Sequence, residues 1–259
     1  MINQAFSYIK HLKDATGVSR IKDVKLRSLL AIILDEEKGY YAFLSLSLLK
    51  KKMLKDKREI AVLDLGAGSK KLKDSKRRIK DIAKLSVKKS KYAEVLFRLV
   101  EVNQISKVIE VGTSLGVTTG FLALANPKGT VVTLEGCPET LKIAKENFQQ
   151  LNLKNVRTIE GNFDSTLPQV LSNHPDAGLI FIDGNHTKKA TLAYFEQGLM
   201  LGNEDLIIVF DDIHWSKDME EAWDVIKNHK SVQATVDIYE MGIVFLNVTY
   251  LKEDYMIRF

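Results

Sequence analysis

The sequence predicts an α/β protein. A doubly wound, mostly parallel seven-stranded sheet ends in an antiparallel hairpin and is preceded by a helical N-terminal extension. Three observations lead there. From residue 107 onward, short apolar runs alternate with helical periodicity, as in a parallel sheet covered on both faces. A glycine turn, Gly112 to Gly116, follows the first of those runs. Two last runs, 232–239 and 242–249, read as a hairpin around Met241-Gly242, the one departure from strand–helix alternation.

Residues 1–60 read mainly as helix. Apolar residues recur at three- and four-residue steps in Ile21, Val24, Leu26, Leu29, Leu30 and Ile33. Tyr40 to Leu54 is strongly apolar and then turns abruptly to lysine. Residues 60–65 form a short expected strand before Gly66-Ala67-Gly68-Ser69, and residues 70–91 are Lys-rich. Tyr92, Val95, Leu96, Leu99 and Val100 share one side of a helix over 91–103. Strands are then expected at 107–111, 130–135, 155–160, 178–183 and 205–211. Helices are expected at 116–125, 138–151, 165–172, 187–200 and 217–228. Pro138 suits a first helical position, and Asn126-Pro127-Lys128-Gly129 is a turn. The division that follows is a basic helical extension, 1–90, and a ligand-binding domain, 91–259.

The 259 residues are 45% hydrophobic and 27% charged, enough for a sizeable core. No apolar run reaches the roughly 18–20 residues of a membrane span. The first residues lack the apolar core of a secretory leader. One cysteine, Cys137, excludes an intramolecular disulfide and a cysteine zinc site, so the cytoplasm is the expected compartment. The net charge of +5 is uneven: residues 50–91 hold 17 Lys and Arg against 5 Asp and Glu, and the remainder is acidic. Such a block is either a solvated surface or a contact for nucleic acid or another anion.

Open α/β sheets bind ligands beyond the carboxyl ends of their strands, where the strand order reverses. The first strand–turn–helix reads Glu110-Val111-Gly112-Thr113-Ser114-Leu115-Gly116-Val117-Thr118. Gly112 permits a tight turn, and Gly116 lets a helix start close to the sheet. Helix N-terminal N–H groups there can hold a carboxylate. The next strand ends in Glu135, 19 residues beyond Gly116, where an acid can accept hydrogen bonds from a ribose diol. The fourth strand ends at Asp183-Gly184-Asn185-His186 and the fifth at Asp211-Asp212-Ile213-His214-Trp215. Three carboxylates converging at neighbouring strand ends repel one another unless protonated or bridged, and oxygen donors suit Mg²⁺ or another hard divalent ion. The alternative is that Asp211 and Asp212 cap the following helix.

Residues 105–250 resemble the Rossmann-like class I methyltransferases, and most of all the catechol-type and macrocin-type O-methyltransferases. Glu110, Gly112, Gly116 and Thr118 fit their first motif, whereas a nicotinamide site would call for a Gly-x-Gly start. The resemblance implies S-adenosylmethionine as cofactor, with Thr113 and Ser114 in the binding turn and Glu135 on the ribose. Gly136 and Cys137 would lie beside the adenine, and Asn162 would meet its amine. It also implies a divalent ion on Asp183, Asp211 and Asp212, close to the cofactor's reactive end. Methyl transfer to a small-molecule hydroxyl would then be direct and in line, with the ion lowering the hydroxyl pKa. Catechol-type enzymes carry a Lys three residues after the fourth-strand Asp. Here that position is His186, whose imidazole suits a base near neutral pH. Lys188 and His214 are the substitute candidates, and Trp215 either walls the substrate pocket or packs in the core.

Ala61 to Ser69 matches the generic first motif better than 110–118 does. No strand ending in an acid follows about twenty residues on, so it reads as a structural or anion-binding turn. Two other classes stay open. An RNA methyltransferase could use the basic 50–91 segment, although Asp-Gly-Asn-His is not the Pro-Pro-aromatic pattern of base amino-group methylation. A non-catalytic interaction protein, or a homodimer, could use the apolar N-terminal helices.

Overall fold

The computed structural model describes residues 2–63, 75–85 and 90–259. The chain opens with helices α1 (Ile2–Asp14), α2 (Val24–Ile33) and α3 (Tyr41–Met53). A two-stranded antiparallel sheet, β1 (Glu59–Val62) and β2 (Ser75–Arg78), leads into α4 (Ile79–Leu85) and α5 (Ser90–Val102). The N-terminal region is therefore helical except for this β-pair. Regular alternation follows: β3 (Lys107–Val111), α6 (Val117–Ala125), β4 (Thr130–Glu135), α7 (Pro138–Gln150), β5 (Val156–Glu160) and α8 (Phe163–Asn173). The second half holds β6 (Leu179–Ile182), α9 (Lys188–Leu199), β7 (Ile207–Asp211), α10 (Lys217–Lys227), β8 (Ala234–Asp237), β9 (Met241–Phe245) and β10 (Glu253–Met256).

The main sheet runs β10-β8-β9-β7-β6-β3-β4-β5. Strands β3 to β7 are mutually parallel; β9 pairs antiparallel with both β7 and β8. The expected hairpin is present, and its second strand inserts between its first and β7. An eighth strand, β10, joins the outer edge parallel to β8. It escapes a sequence reading because Glu-Asp-Tyr-Met is short and polar, with only Tyr255 buried. The chain builds β3, β4 and β5 outward, then returns to lay β6 against the other side of β3. The strand order thus reverses between β3 and β6, and this opens a crevice at their carboxyl ends.

Alternation along the strands divides the core in two. Leu179, Phe181, Ile207 and Val209 face one cluster, with Leu26, Leu30, Leu46, Leu96 and Leu99 from the N-terminal helices. Ile180, Ile182, Ile208 and Phe210 face the other, with Leu167, Tyr194, Phe195 and Trp223 from α8, α9 and α10. Ile21, Leu26, Leu29, Leu30 and Ile33 are buried as the periodicity expects, whereas Val24, at the first position of α2, is exposed. Arg98 is fully buried on α5, where its guanidinium donates to the Ile33 and Lys38 carbonyls and to Glu94. It thereby holds the α2–α3 connection, satisfying a charge that burial would otherwise penalise. Along α3, Tyr41, Leu44 and Leu48 stay exposed. Among the described residues no helix is long and apolar enough to cross a membrane.

Because α2 shares a core with the sheet, Leu30→Ala should cost about 2–5 kcal/mol. Denaturant unfolding should show one transition with a lowered midpoint; a separate early transition for the N-terminal helices would contradict the shared core.

Candidate active site

The crevice begins where β3 ends. Gly112 has φ +106°, and a Cβ there would lie 2.0 Å from the Asp183 carbonyl oxygen. Only glycine lets the two diverging strand ends approach this closely. Gly116, at φ +78°, precedes α6, and a Cβ on it would lie 2.5 Å from the Phe148 ring. Between them the Gly112 and Thr113 N–H groups donate to the Leu134 carbonyl. The Thr113 hydroxyl lies inward, 2.5 Å from that of Thr133. These groups brace the turn against β4.

Two acids flank the turn. Glu110 is fully buried on β3, and its Oε2 accepts from the Thr119 and Thr133 hydroxyls at 2.5 and 2.6 Å. The hydroxyl that reaches the motif acid is that of Thr119, on the buried face of α6, while the motif residue Thr118 beside it is half-buried. Glu110 Oε1 has no hydrogen-bond partner. Burial pushes this carboxyl up to about 7, against the pull of both hydroxyls. Glu135 ends β4; its Oε2 accepts from Ser114 N–H at 2.7 Å and its Oε1 from Cys137 N–H at 2.9 Å. Burial raises its pKa, which the backbone N–H groups of Cys137 and Ser114 oppose. The carboxylate thus ties the two strand-end turns together at the mouth of the crevice.

Gly136 sits between Glu135 and Cys137. The Cys137 thiol is buried and faces β1, accepting from Leu63 N–H and donating to the Ala61 carbonyl, so its side chain does not line an open face. Asn162 caps α8 and accepts from Asp164 N–H at 2.8 Å. The second glycine motif at 66–69 lies outside the described residues; just beyond that segment, Lys76, Arg77 and Arg78 are exposed on β2.

Beyond β6 and β7 the structure gathers Asp183, His186 and Asp212. His186 Nε2 lies 3.5 Å from Asp183 Oδ1 and 4.0 Å from Asp212 Oδ2. Asp212 adopts φ +55°, and its N–H donates to the Glu240 carbonyl and to Asp211 Oδ1. Asp211 is buried in the last position of β7. The expected three-carboxylate set is not drawn together. Among the described residues, three ligand atoms lie within 4.8 Å of one another only at His11, His214 and Asp237. The chain leaves the strand at this point: Asp211 is the buried last residue of β7, whereas Asp212 follows it in a left-handed conformation. The following helix is capped by Ser216 rather than by either Asp.

His214 does not join His186. Its Nε2 meets Asp237 at 2.8 Å and its Nδ1 meets Glu220 at 3.4 Å, so both nitrogens are engaged and it is no ready base. Lys188 pairs with Glu221 at 2.8 Å. Trp215 is exposed and thus not packed in the core.

Residues 109–213 match a family model described as a methyltransferase domain. A catechol O-methyltransferase of Mycobacterium tuberculosis is 34% identical over 112 residues, 42% of this chain and 49% of that protein. One of Niastella koreensis is 31% identical over 134 residues, 50% of this chain and 58% of that protein. The chain thus spans about half the length of these curated relatives. Among solved structures, the SAH-bound methyltransferase of Podospora anserina has a TM-score of 0.60 at 13% identity, covering 88% of this chain and 97% of that one. The O-methyltransferase of Bacillus cereus in complex with SAH has a TM-score of 0.55 at 19% identity, covering 84% and 96%. The chain shares the Rossmann-like fold of these methyltransferases, and its residues 109–213 are similar to a methyltransferase domain.

Two outcomes follow from the turn. Gly112→Ala should destabilise by more than about 1 kcal/mol, since both φ and the Asp183 carbonyl oppose it; an unchanged unfolding midpoint would contradict the close approach. The folded Glu110 carboxyl holds its proton to about pH 7, against 4.5 ordinarily. Its contribution to stability is therefore full below about 4.5 and is lost as pH rises through 7. Glu110→Gln should raise Tm more at pH 8 than at pH 5; equal shifts would contradict the buried ionisation.

Proposed function

We propose that the protein is an S-adenosylmethionine-dependent O-methyltransferase acting on a hydroxyl of a small molecule. The observation that carries this reading is the crevice at the ends of β3 and β6, with the Gly112 turn and Glu135 on one side, Glu110 buried beneath the turn, and the Asp183–His186–Asp212 group on the other. The names of the curated relatives support the reaction class. The cofactor fits an unpaired atom of this site: buried Glu110 Oε1 lacks a partner, and the ammonium of a bound amino-acid moiety would satisfy it. Glu135 would take the ribose hydroxyls, and Asn162 would offer its amide beside the base. Bound S-adenosylmethionine supplies a methyl made electrophilic by its sulfonium.

The remaining work falls to the chain. His186 Nε2 takes the proton from the acceptor hydroxyl as the oxygen gains the methyl. The Asp183 and Asp212 carboxylates stabilise the imidazolium that forms. The same two carboxylates are donors that suit a hard divalent ion, and they would hold Mg²⁺, which when bound lowers the pKa of a coordinated hydroxyl. Asp211 supports them from below through the Asp212 N–H.

Catechol is the first acceptor to try. His186→Gln should lower kcat by about 10²–10⁴-fold while leaving the cofactor Kd unchanged. An unchanged kcat would remove His186 from the chemistry. EDTA should depress turnover and Mg²⁺ restore it; turnover indifferent to EDTA would leave the reaction to the side chains alone.

A further inference from the structure

We propose that His11, His214 and Asp237 form a second site, for a borderline transition-metal ion of the zinc class, which pins helix α1 to the carboxyl end of the sheet. The three residues come from α1, the loop after β7 and the end of β8. One nitrogen from each ring and one carboxylate oxygen lie within 4.8 Å of one another. His11 Nδ1 is 3.4 Å from Asp237 Oδ1, and His214 Nε2 is 2.8 Å from Asp237 Oδ2. None of the three belongs to the Asp183–His186–Asp212 group.

His11 is buried, at 4% exposed. Its Nε2 lies 3.2 Å from the Ile257 carbonyl, which can only accept, so Nε2 carries a hydrogen. The neutral ring then presents a lone pair at Nδ1, which has no hydrogen-bond partner and faces a carboxylate oxygen. The unpartnered Nδ1 and the carboxylate oxygen are thus two acceptors facing one another, an arrangement a bound cation would satisfy. A metal ion resolves the conflict.

His214 fits the same arrangement. Its Nδ1 meets Glu220 Oε1 at 3.4 Å, leaving Nε2 as the ligand once Nδ1 carries the hydrogen. Each imidazole therefore has an oxygen acceptor behind it, the arrangement that orients metal-bound histidines. Asp237 is oriented in turn by the Tyr239 N–H at 2.8 Å, and the Tyr239 ring stacks on His214 at 5.2 Å. Two imidazoles and a carboxylate suit Zn²⁺ and its neighbours, whereas Mg²⁺ and Ca²⁺ prefer oxygen alone.

The test is calorimetric titration of the chelator-treated full chain with Zn²⁺, without methyl donor. One ion per chain should bind, and a large excess of Mg²⁺ should not displace it. Glu220→Gln should weaken binding roughly 10–100-fold, and His11→Ala should weaken it further. X-ray absorption of the zinc-loaded wild type should show two imidazoles with oxygen, a readout that needs no variant. Absence of tight binding, an all-oxygen shell, or unchanged affinity in a folded His11→Ala protein would overturn the site. None of these outcomes depends on methyl transfer.

Discussion

Everything at the carboxyl end of the sheet depends on one close approach, the turn at Gly112 against the Asp183 carbonyl. The strands β3 and β6 are hydrogen-bonded neighbours, yet the chain leaves them for opposite sides of the sheet. Their ends must pass within a distance that no Cβ allows. Once that crossing is made, the consequences are largely geometric. The crevice opens between the two turns, Glu135 ties the Gly112 turn to the end of β4, and the register aligns Val111 with Leu134 and Ile182, so the strand-end acids arrive at one level. The buried Glu110 beneath the turn has one carboxyl oxygen without a hydrogen-bond partner, which a cationic ligand group would satisfy.

Much of this was legible in the sequence, for physical reasons. Strands buried on both faces must be apolar throughout, so β3, β4, β6 and β7 stand out as runs such as Leu-Ile-Phe-Ile. The acids ending them stand out because they interrupt those runs. What periodicity cannot show is which hydroxyl faces inward. Thr118 and Thr119 are adjacent on α6, and only the packed structure shows that Thr119 reaches Glu110. Strand β10 was hidden because an edge strand needs little apolar character, and Val24 fits the spacing of α2 but lies at its exposed start.

The histidines illustrate the same limit. His186 could be singled out by its offset from Asp183, and the fold brings the two to 3.5 Å. His214 looked equivalent, two residues beyond Asp212. The loop instead turns it outward to Asp237, where it meets His11 from a helix more than two hundred residues earlier. No local pattern announces such a partner. Helix α1 is also held there by Arg258, which donates to the Leu12 and Ala15 carbonyls. The N-terminal helix is thus fastened to the same sheet end that carries the crevice.

The most direct measurement is the affinity of S-adenosylhomocysteine, by calorimetry, for the wild-type chain and for Glu135→Gln. One molecule should bind per chain, and the substitution should weaken it about tenfold or more through loss of charge-assisted hydrogen bonds. Failure of the wild type to bind, or equal affinity in the two proteins, would contradict the assignment of the crevice at the ends of β3 and β6, with Glu135 beside it, as the cofactor site.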